Sequence, residues 1–355
     1  MTERSEPTFR LADLDDARAM LEVIEAAFES WPSIEVNAPP LDHLRWKMAP
    51  PELEPPHDIL ELDGRVAGVR LQWRNRLQLA DREFIAESGA DYAIHPDFQG
   101  RGLSRRFSEH LRRRRHANPL PGISFLSNSP QIRHMNDPDY IERPVSTWYR
   151  PSTRRERLIL ALRDRGLIRR ARSALTQLGT RKQHLPDGVR IEVLERFDER
   201  VDSLFERARQ AFEVIFFRRA DYLNWRFQRP PSGDHIILGL IGGDGLLGYA
   251  VVKRSHDRGD LMDLLWDPAV PAALPALVHA AIAELRGTGA SGVTCWLPTG
   301  HEAEPTLRRA GFTVVGTQTL LLGSTTSGES PPEAIETLRD LTRSMHVTMS
   351  DFDHA

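Results

Sequence analysis

The sequence predicts a tandem α/β protein, two copies of one fold of about 150 residues each. Three observations predict it. The chain has 355 residues, which at roughly 100–200 residues per domain suits two domains. Four sequence segments recur in the same order. Between them, strand-like and helix-like apolar spacings alternate as in an α/β or α+β layer. Composition fits a soluble globular protein, with 40% hydrophobic and 27% charged residues. The single cysteine, Cys295, excludes a disulfide scaffold and reads as core. The polar start MTERSEPTFRLADLDD is no signal peptide, and the apolar stretch 236–252 is broken by Gly242, Gly243, Asp244 and Gly245. A membrane span would need about 20 unbroken apolar residues. A cytoplasmic protein with no membrane partner is expected. At net charge −3, no global field favours nucleic acid. All but Lys47, Lys182 and Lys253 of the 47 basic residues are arginine, which a GC-rich genome explains.

The recurrence is specific. Residues 42–51 read DHLRWKMAPP and residues 221–231 read DYLNWRFQRPP, so Asp42, Leu44, Trp46 and Lys47 correspond to Asp221, Leu223, Trp225 and Arg226. A strand, a turn and a strand follow each, with Gly68 and Gly248 closing the matching hairpins. DYAIHP (91–96) then matches DLLWDP (263–268), and GISFLS (122–127) matches GVTCWL (292–297). Recurrence at equivalent places makes Trp46 and Trp225 packing residues.

Taken in order, the first copy opens with a strand near Thr8–Leu11. A helix follows, in which Leu14, Ala17, Leu21, Ile24 and Phe28 recur at helical spacing behind Asp13, Asp15 and Asp16. A hairpin over 57–62 and 65–73 turns at Asp63–Gly64. A strand spans about 84–94 and a helix about 102–115. The second copy's equivalent helix shows Leu274, Leu277, Val278, Ala281, Ile282 and Leu285 on one face. The expected domains are 1–150, a basic helical linker 151–186, 187–325, and a C-terminal helix and tail 326–355. The linker is rich in arginine from Arg154 to Arg181 and reads as the solvated face of a connecting helix. Asp351, Asp353 and His354 read as a frayed terminus rather than a metal site.

The sharpest chemistry lies at 94–104, IHPDFQGRGLS. A strand ends at His95–Pro96, Gly100 and Gly102 alternate with Gln99 and Arg101, and a helix begins. Glycines let a backbone turn its N–H groups inward, and the helix adds its positive end, so the segment suits a pyrophosphate. It is neither a P-loop nor a complete dinucleotide fingerprint.

Here the sequence resembles the GCN5-related N-acetyltransferase (GNAT) superfamily. Gln99-x-x-Gly102-x-Ser104 fits the family's Gln/Arg-x-x-Gly-x-Gly/Ala loop, with serine as the one departure, and Leu-Arg-Arg-Ala-Gly-Phe (307–312) looks like its final helix-to-strand corner. The resemblance implies two GNAT-like domains in tandem, each a mixed, mostly antiparallel sheet flanked by helices. It implies an acyl-CoA-dependent N-acyltransferase, acetyl-CoA being the default co-substrate, with no metal. Ile94 and His95 would pair with the pantetheine arm, and Gln99, Gly100, Arg101, Gly102, Leu103 and Ser104 would hold the pyrophosphate. Asn128, and Ser129 beside it, would touch cofactor or acceptor. The second copy has DPAVPAALPA (267–276) at the loop, three prolines and no glycine, so one acyl-CoA site per chain is expected. That copy would shape an acceptor pocket or a homodimer contact.

Acyl transfer to an amine needs a base, and an acid can protonate the leaving thiolate. Glu87, Asp91 and His95 lie at i, i+4 and i+8 along the predicted strand, on one face unless a bulge intervenes. Asp91 has a counterpart in Asp263 and so suits a structural role; Glu87 corresponds to Gly259 and ranks first as base. His95 reads as a strand-end residue. Relatives place an acidic tyrosine before the Gly-Phe corner; the aligned position here is Asp137, and Tyr140, though out of register, is the candidate. A small-molecule amine is the expected acceptor. Two alternatives stay open: a Fem-like transferase using charged tRNA, and a non-catalytic protein that binds CoA or a metabolite.

Overall fold

The computed structural model describes residues 6–32, 36–51, 53, 55–117, 122–127, 141–153, 187–231, 233, 235–254, 258–324, 336, 338–339 and 345–352. The linker arginines from Arg154, together with Asn128, Ser129, Asp137 and Tyr140, lie outside these residues. Two compact units emerge: residues 1–142 with 230–233 and 320–341, and residues 143–229 with 234–319 and 342–355.

The first unit contains β1 (Thr8–Leu11), α1 (Ala17–Ala27), α2 (Pro40–Met48), β2 (Asp58–Leu62), β3 (Arg65–Leu79), β4 (Arg82–Ile94), α3 (Leu103–Ala117) and β5 (Gly122–Ser127). Its sheet runs β1-β2-β3-β4-β5, followed by residues 320–324. The first four strands are mutually antiparallel, and β4 and β5 are parallel. The hairpin turns where expected, because Asp63 and Gly64 both take φ above zero (55° and 74°). Asp13 caps the entry to α1, accepting from the N–H groups of Asp15 and Asp16. The buried face of α1 is Ala17, Met20, Val23 and Ile24, whereas Leu14 and Phe28 are exposed. The expected apolar stripe is thus rotated. Met20, Val23 and Ile24 each contribute about 1.5–3 kcal/mol by complete burial.

The second unit repeats this plan with β6 (Ile141–Pro151), β7 (Val189–Leu194), α4 (Glu199–Ala208), β8 (Val214–Phe216), α5 (Ala220–Leu223), β9 (His235–Gly242), β10 (Gly245–Arg254), β11 (Gly259–Trp266), α6 (Ala273–Arg286), β12 (Gly292–Pro298), α7 (Glu304–Arg309), β13 (Thr313–Ser324) and β14 (Met345–His346). Its sheet order is β7-β9-β10-β11-β12-β6-β13. Antiparallel pairs again lead to one parallel pair, β11 with β12. The predicted face of α6, from Leu274 to Leu285, is buried throughout.

The duplication extends to irregularities. The pairing of β2 with β3 skips Ala67, and that of β9 with β10 skips Leu247. Gly68 and Gly248 follow these bulges rather than closing the hairpins. A Cβ on Gly248 would meet Leu265 O at 2.9 Å, so that position needs glycine for a close strand approach; one on Gly68 would meet the movable Ile94 Cδ1 at 2.6 Å and Ala93 O at 3.3 Å.

Two segments differ from the sequence expectation. Residues 143–151, which the duplication assigns to the first copy, form a strand beside β12 in the second unit, because Val145–Pro151 pair with Gly292–Pro298. The expected C-terminal helix falls largely outside the described residues; Glu336, Leu338 and Arg339 are helical, but Met345 is already in a strand. Cys295 is buried in β12, as expected, and burial pushes its thiol well up. Among the described residues no helix is long and apolar enough to cross a membrane.

Candidate active site

The glycine loop joins β4 to α3. Both Gly100 and Gly102 have left-handed backbones, with φ of 74° and 75°. Gln99 Nε2 donates to Ile94 O at 2.9 Å, folding the loop back on the end of β4. Arg101 donates to Asp97 O at 3.0 Å, and its guanidinium lies over the ring of buried Phe98. His95 is spent locally: its N–H donates to Ala67 O at 2.9 Å, and its Nδ1 accepts from the Asp97 N–H at 3.2 Å. Leu103 and Phe107 root the head of α3 in the core. Ser104 meets the Tyr92 hydroxyl through its carbonyl at 3.0 Å and its Oγ at 3.2 Å. The first hydrogen bond of α3 runs from Arg106 N to Gly102 O at 3.2 Å. The N–H groups of Gly100, Arg101, Gly102, Leu103 and Ser104 thus make no hydrogen bond to a described residue. A run of such donors at a helix head is an anion cradle.

Beside the loop the sheet opens. Strands β4 and β5 pair only from Ile85–Gly122 to Glu87–Ser124, although both continue further. A bulge accompanies the opening: Arg70 pairs with Tyr92 and Leu71 with Ala90, so the register skips Asp91, which sits at φ 43°. The bulge undoes the one-face arrangement expected for Glu87, Asp91 and His95. Ala90, and Trp73 opposite Ser88, pack with the α1–α2 cluster; Glu87, next to Ser88, therefore points to the other face.

Glu87 sits where the opening begins. It is buried, and its Oε1 accepts from Arg74 Nε at 2.8 Å and a second Arg74 nitrogen at 2.6 Å. Its Oε2 takes no hydrogen bond from a described residue. Asp91 instead has both oxygens engaged, Oδ1 by Trp31 Nε1 at 2.9 Å and Oδ2 by Lys47 Nζ at 2.6 Å. Sequence reasoning missed Arg74, Lys47 and Trp31 as partners, although Lys47 stood out as the repeated equivalent of Arg226. Nearby, His57 accepts from the Gln72 N–H through Nδ1, and burial pulls its imidazole down to about 4.

In the second unit β11 and β12 also part early, pairing only at Gly259–Val293 and Asp260–Thr294. Residues 345–352 lie against both strands beyond that point. His346 meets the Trp266 ring, Phe352 meets Trp296, and Thr348 Oγ1 donates to Asp263 at 2.8 Å. Asp351, expected in a frayed tail, is buried and accepts from Arg218 at 2.6 Å. Burial works against the Arg218 charge, but Asp263 and Asp351 outweigh it and hold the guanidinium charged. Burial, with Asp263 beside it, also raises Tyr249 well above the usual phenol range. His301 and His346 share a 3.1 Å contact, and burial pulls His301 down to about 3. The equivalent opening is therefore filled by the chain itself, beside a loop that lacks glycine. Among the described residues no group of three His, Cys, Asp or Glu could hold a metal ion.

No family model and no curated protein matches the chain. Solved structures do. A GCN5-related N-acetyltransferase from Anabaena variabilis superposes with a TM-score of 0.63 at 13% identity, over 90% of this chain and 73% of that one. Yeast N-myristoyltransferase with bound myristoyl-CoA gives 0.59 at 12% identity, over 91% and 81%. A tandem GNAT protein from the clavulanic acid biosynthesis pathway gives 0.56 at 12% identity, over 91% of this chain and all of that one. At these identities the likeness is one of fold. Two GNAT folds in tandem describe this chain from end to end of the aligned region.

Proposed function

We propose that the protein is an N-acyltransferase that moves an acyl group, by default acetyl, from an acyl-CoA to the amine of a small molecule. The observation that carries this reading is the run of N–H groups from Gly100 to Ser104 beside the opening of β4 from β5. The run suits a pyrophosphate, and the edge of β4 that parts from β5 beyond Glu87 suits an extended amide-bearing arm. That the structural neighbours include transferases of this kind supports the reading.

The reaction is a direct attack. The neutral amine forms a bond to the thioester carbonyl carbon, the carbon–sulfur bond breaks, and the thiolate leaves with a proton to gain. Glu87 is the candidate base: Arg74 fixes one carboxylate oxygen at the start of the opening and leaves Oε2 to take the amine proton. Asp91 is held by Lys47 and Trp31 and suits the base role less well. Tyr140 remains the candidate acid on sequence grounds, and Asn128 a candidate contact. Calorimetry tests the reading: one acetyl-CoA should bind per chain, and Gly102→Pro should abolish it. Two sites per chain, or binding unaffected by Gly102→Pro, would reject the loop assignment.

A further inference from the structure

Asp91 is an anomaly within its strand. The other described non-glycine residues at positive φ, Asp63 and Ala80, sit at hairpin turns, whereas Asp91 lies inside β4. A non-glycine residue held in this conformation stays there only when its surroundings impose it. What imposes it is visible. Lys47 comes from α2, is 4% exposed, and donates to Asp91 Oδ2 at 2.6 Å; Trp31 secures the other oxygen. The ammonium also lies 5.5 Å and 5.8 Å from the ring centres of Trp31 and Trp73, which favours its charge at that spot.

The second unit supplies the contrast. Arg226 stands where Lys47 stands, but it donates to Phe352 O at 2.7 Å. Asp263, the counterpart of Asp91, is held by Arg218, Tyr249 and Thr348. There the aspartate stays in the ladder opposite Val251, and the skipped residue is Met262. The cation at the lysine position there donates to a backbone carbonyl, and the aspartate does not become the bulge.

From this geometry we infer that Lys47 is a positioning residue: by binding Asp91 it places the β4 bulge at that residue and so shapes the strand edge that receives the acyl-CoA arm. The inference rests on the acyl-CoA reading above for its functional consequence, but its structural content is separable.

Two double variants isolate the bulge from the buried charge. Lys47→Met with Asp91→Gly, and Lys47→Met with Asp91→Ala, both remove the ion pair. They differ in that glycine adopts φ near 43° freely, whereas alanine is less stable there by about 1–2 kcal/mol, or about 5- to 30-fold. The glycine variant should bind acetyl-CoA within about threefold of wild type. The alanine variant should bind about tenfold more weakly, as expected if a tenth of its molecules keep the competent bulge. Equal affinities in the two variants would overturn the inference. Hydrogen exchange over 88–94 gives a reading that needs no ligand. The alanine variant should differ from wild type there, the glycine variant should not, and 59–62 should be unchanged in both. Unaltered exchange in the alanine variant would also overturn the inference. If wild type binds no acetyl-CoA, the acyltransferase reading fails, and exchange over 88–94 in Lys47→Met alone still decides the role of Lys47: it should differ from wild type, and unaltered exchange would overturn the inference.

Discussion

Gly102→Ala turns the loop geometry into a number. A Cβ at this position would meet nothing within 4 Å, so sterics against the rest of the protein contribute nothing. What remains is the backbone: φ is 75°, where an L-residue with a side chain is less stable than glycine by about 1–2 kcal/mol. That energy has two places to go. If alanine keeps the left-handed form, folding stability falls by the full amount and acetyl-CoA affinity is unchanged. If the loop relaxes in the free protein and is recovered only on binding, stability holds and affinity falls by about 5- to 30-fold. Denaturant titration and calorimetry on the same samples measure both, and their sum should be about 1–2 kcal/mol however it divides. A sum near zero would mean that Gly102 does not hold this conformation in solution. A sum far above the range would mean that the ligand packs against the α-carbon itself, so that backbone preference alone is the wrong account.

Glu87→Gln keeps the shape and the Arg74 contact but removes the base, so kcat should fall by about 10²–10⁴-fold while acetyl-CoA affinity holds; wild-type turnover would move the role elsewhere. His57, pulled down to about 4 by burial, stays neutral when folded while the unfolded imidazole takes a proton below about 6.5. Its contribution is therefore present above pH 6.5 and lost as pH falls towards 4, by up to about 3 kcal/mol, and His57→Gln should flatten that part of the stability–pH curve. Arg218→Met should destabilise the protein by about 3–5 kcal/mol, since it strands Asp263 and Asp351 without their cation; a loss under 1 kcal/mol in thermal or denaturant unfolding would contradict the buried pairing.

The duplication and the loop were legible because their signals are local. Glycine writes a left-handed φ directly into the sequence at Gly100 and Gly102, and the helical spacing of Leu274 to Leu285 declares a buried face. The bulge at Asp91 was not legible in this way. Aspartate enters the left-handed region more readily than most residues, but nothing local singles out Asp91; its conformation depends on Lys47 and Trp31, which lie 44 and 60 residues away in the chain. A one-residue slip then reverses every facing assignment before it, which is why Glu87 and Asp91 part company. Residues 345–352 escaped for a related reason. Their sequence, MHVTMSDF, mixes apolar and polar residues with no local signal of what it packs against, and only the gap between β11 and β12 makes Thr348 and Asp351 interior residues.

The placement of β6 bears on how the protein is made. This strand leaves the ribosome about 140 residues before Gly292–Pro298, with which it pairs. At about 5–20 residues per second, the wait is roughly 7–30 s. Until then β6 has hydrogen-bonding edges without their final partners, the condition under which nascent strands recruit wrong ones. The first unit waits longer still, because β5 pairs with Leu320–Ser324. Instead of two independently maturing halves, the duplication has left a first unit that cannot finish until most of the second has been translated. Slow synthesis therefore prolongs a vulnerable state here, whereas in a chain of self-contained domains it would give each one time to settle.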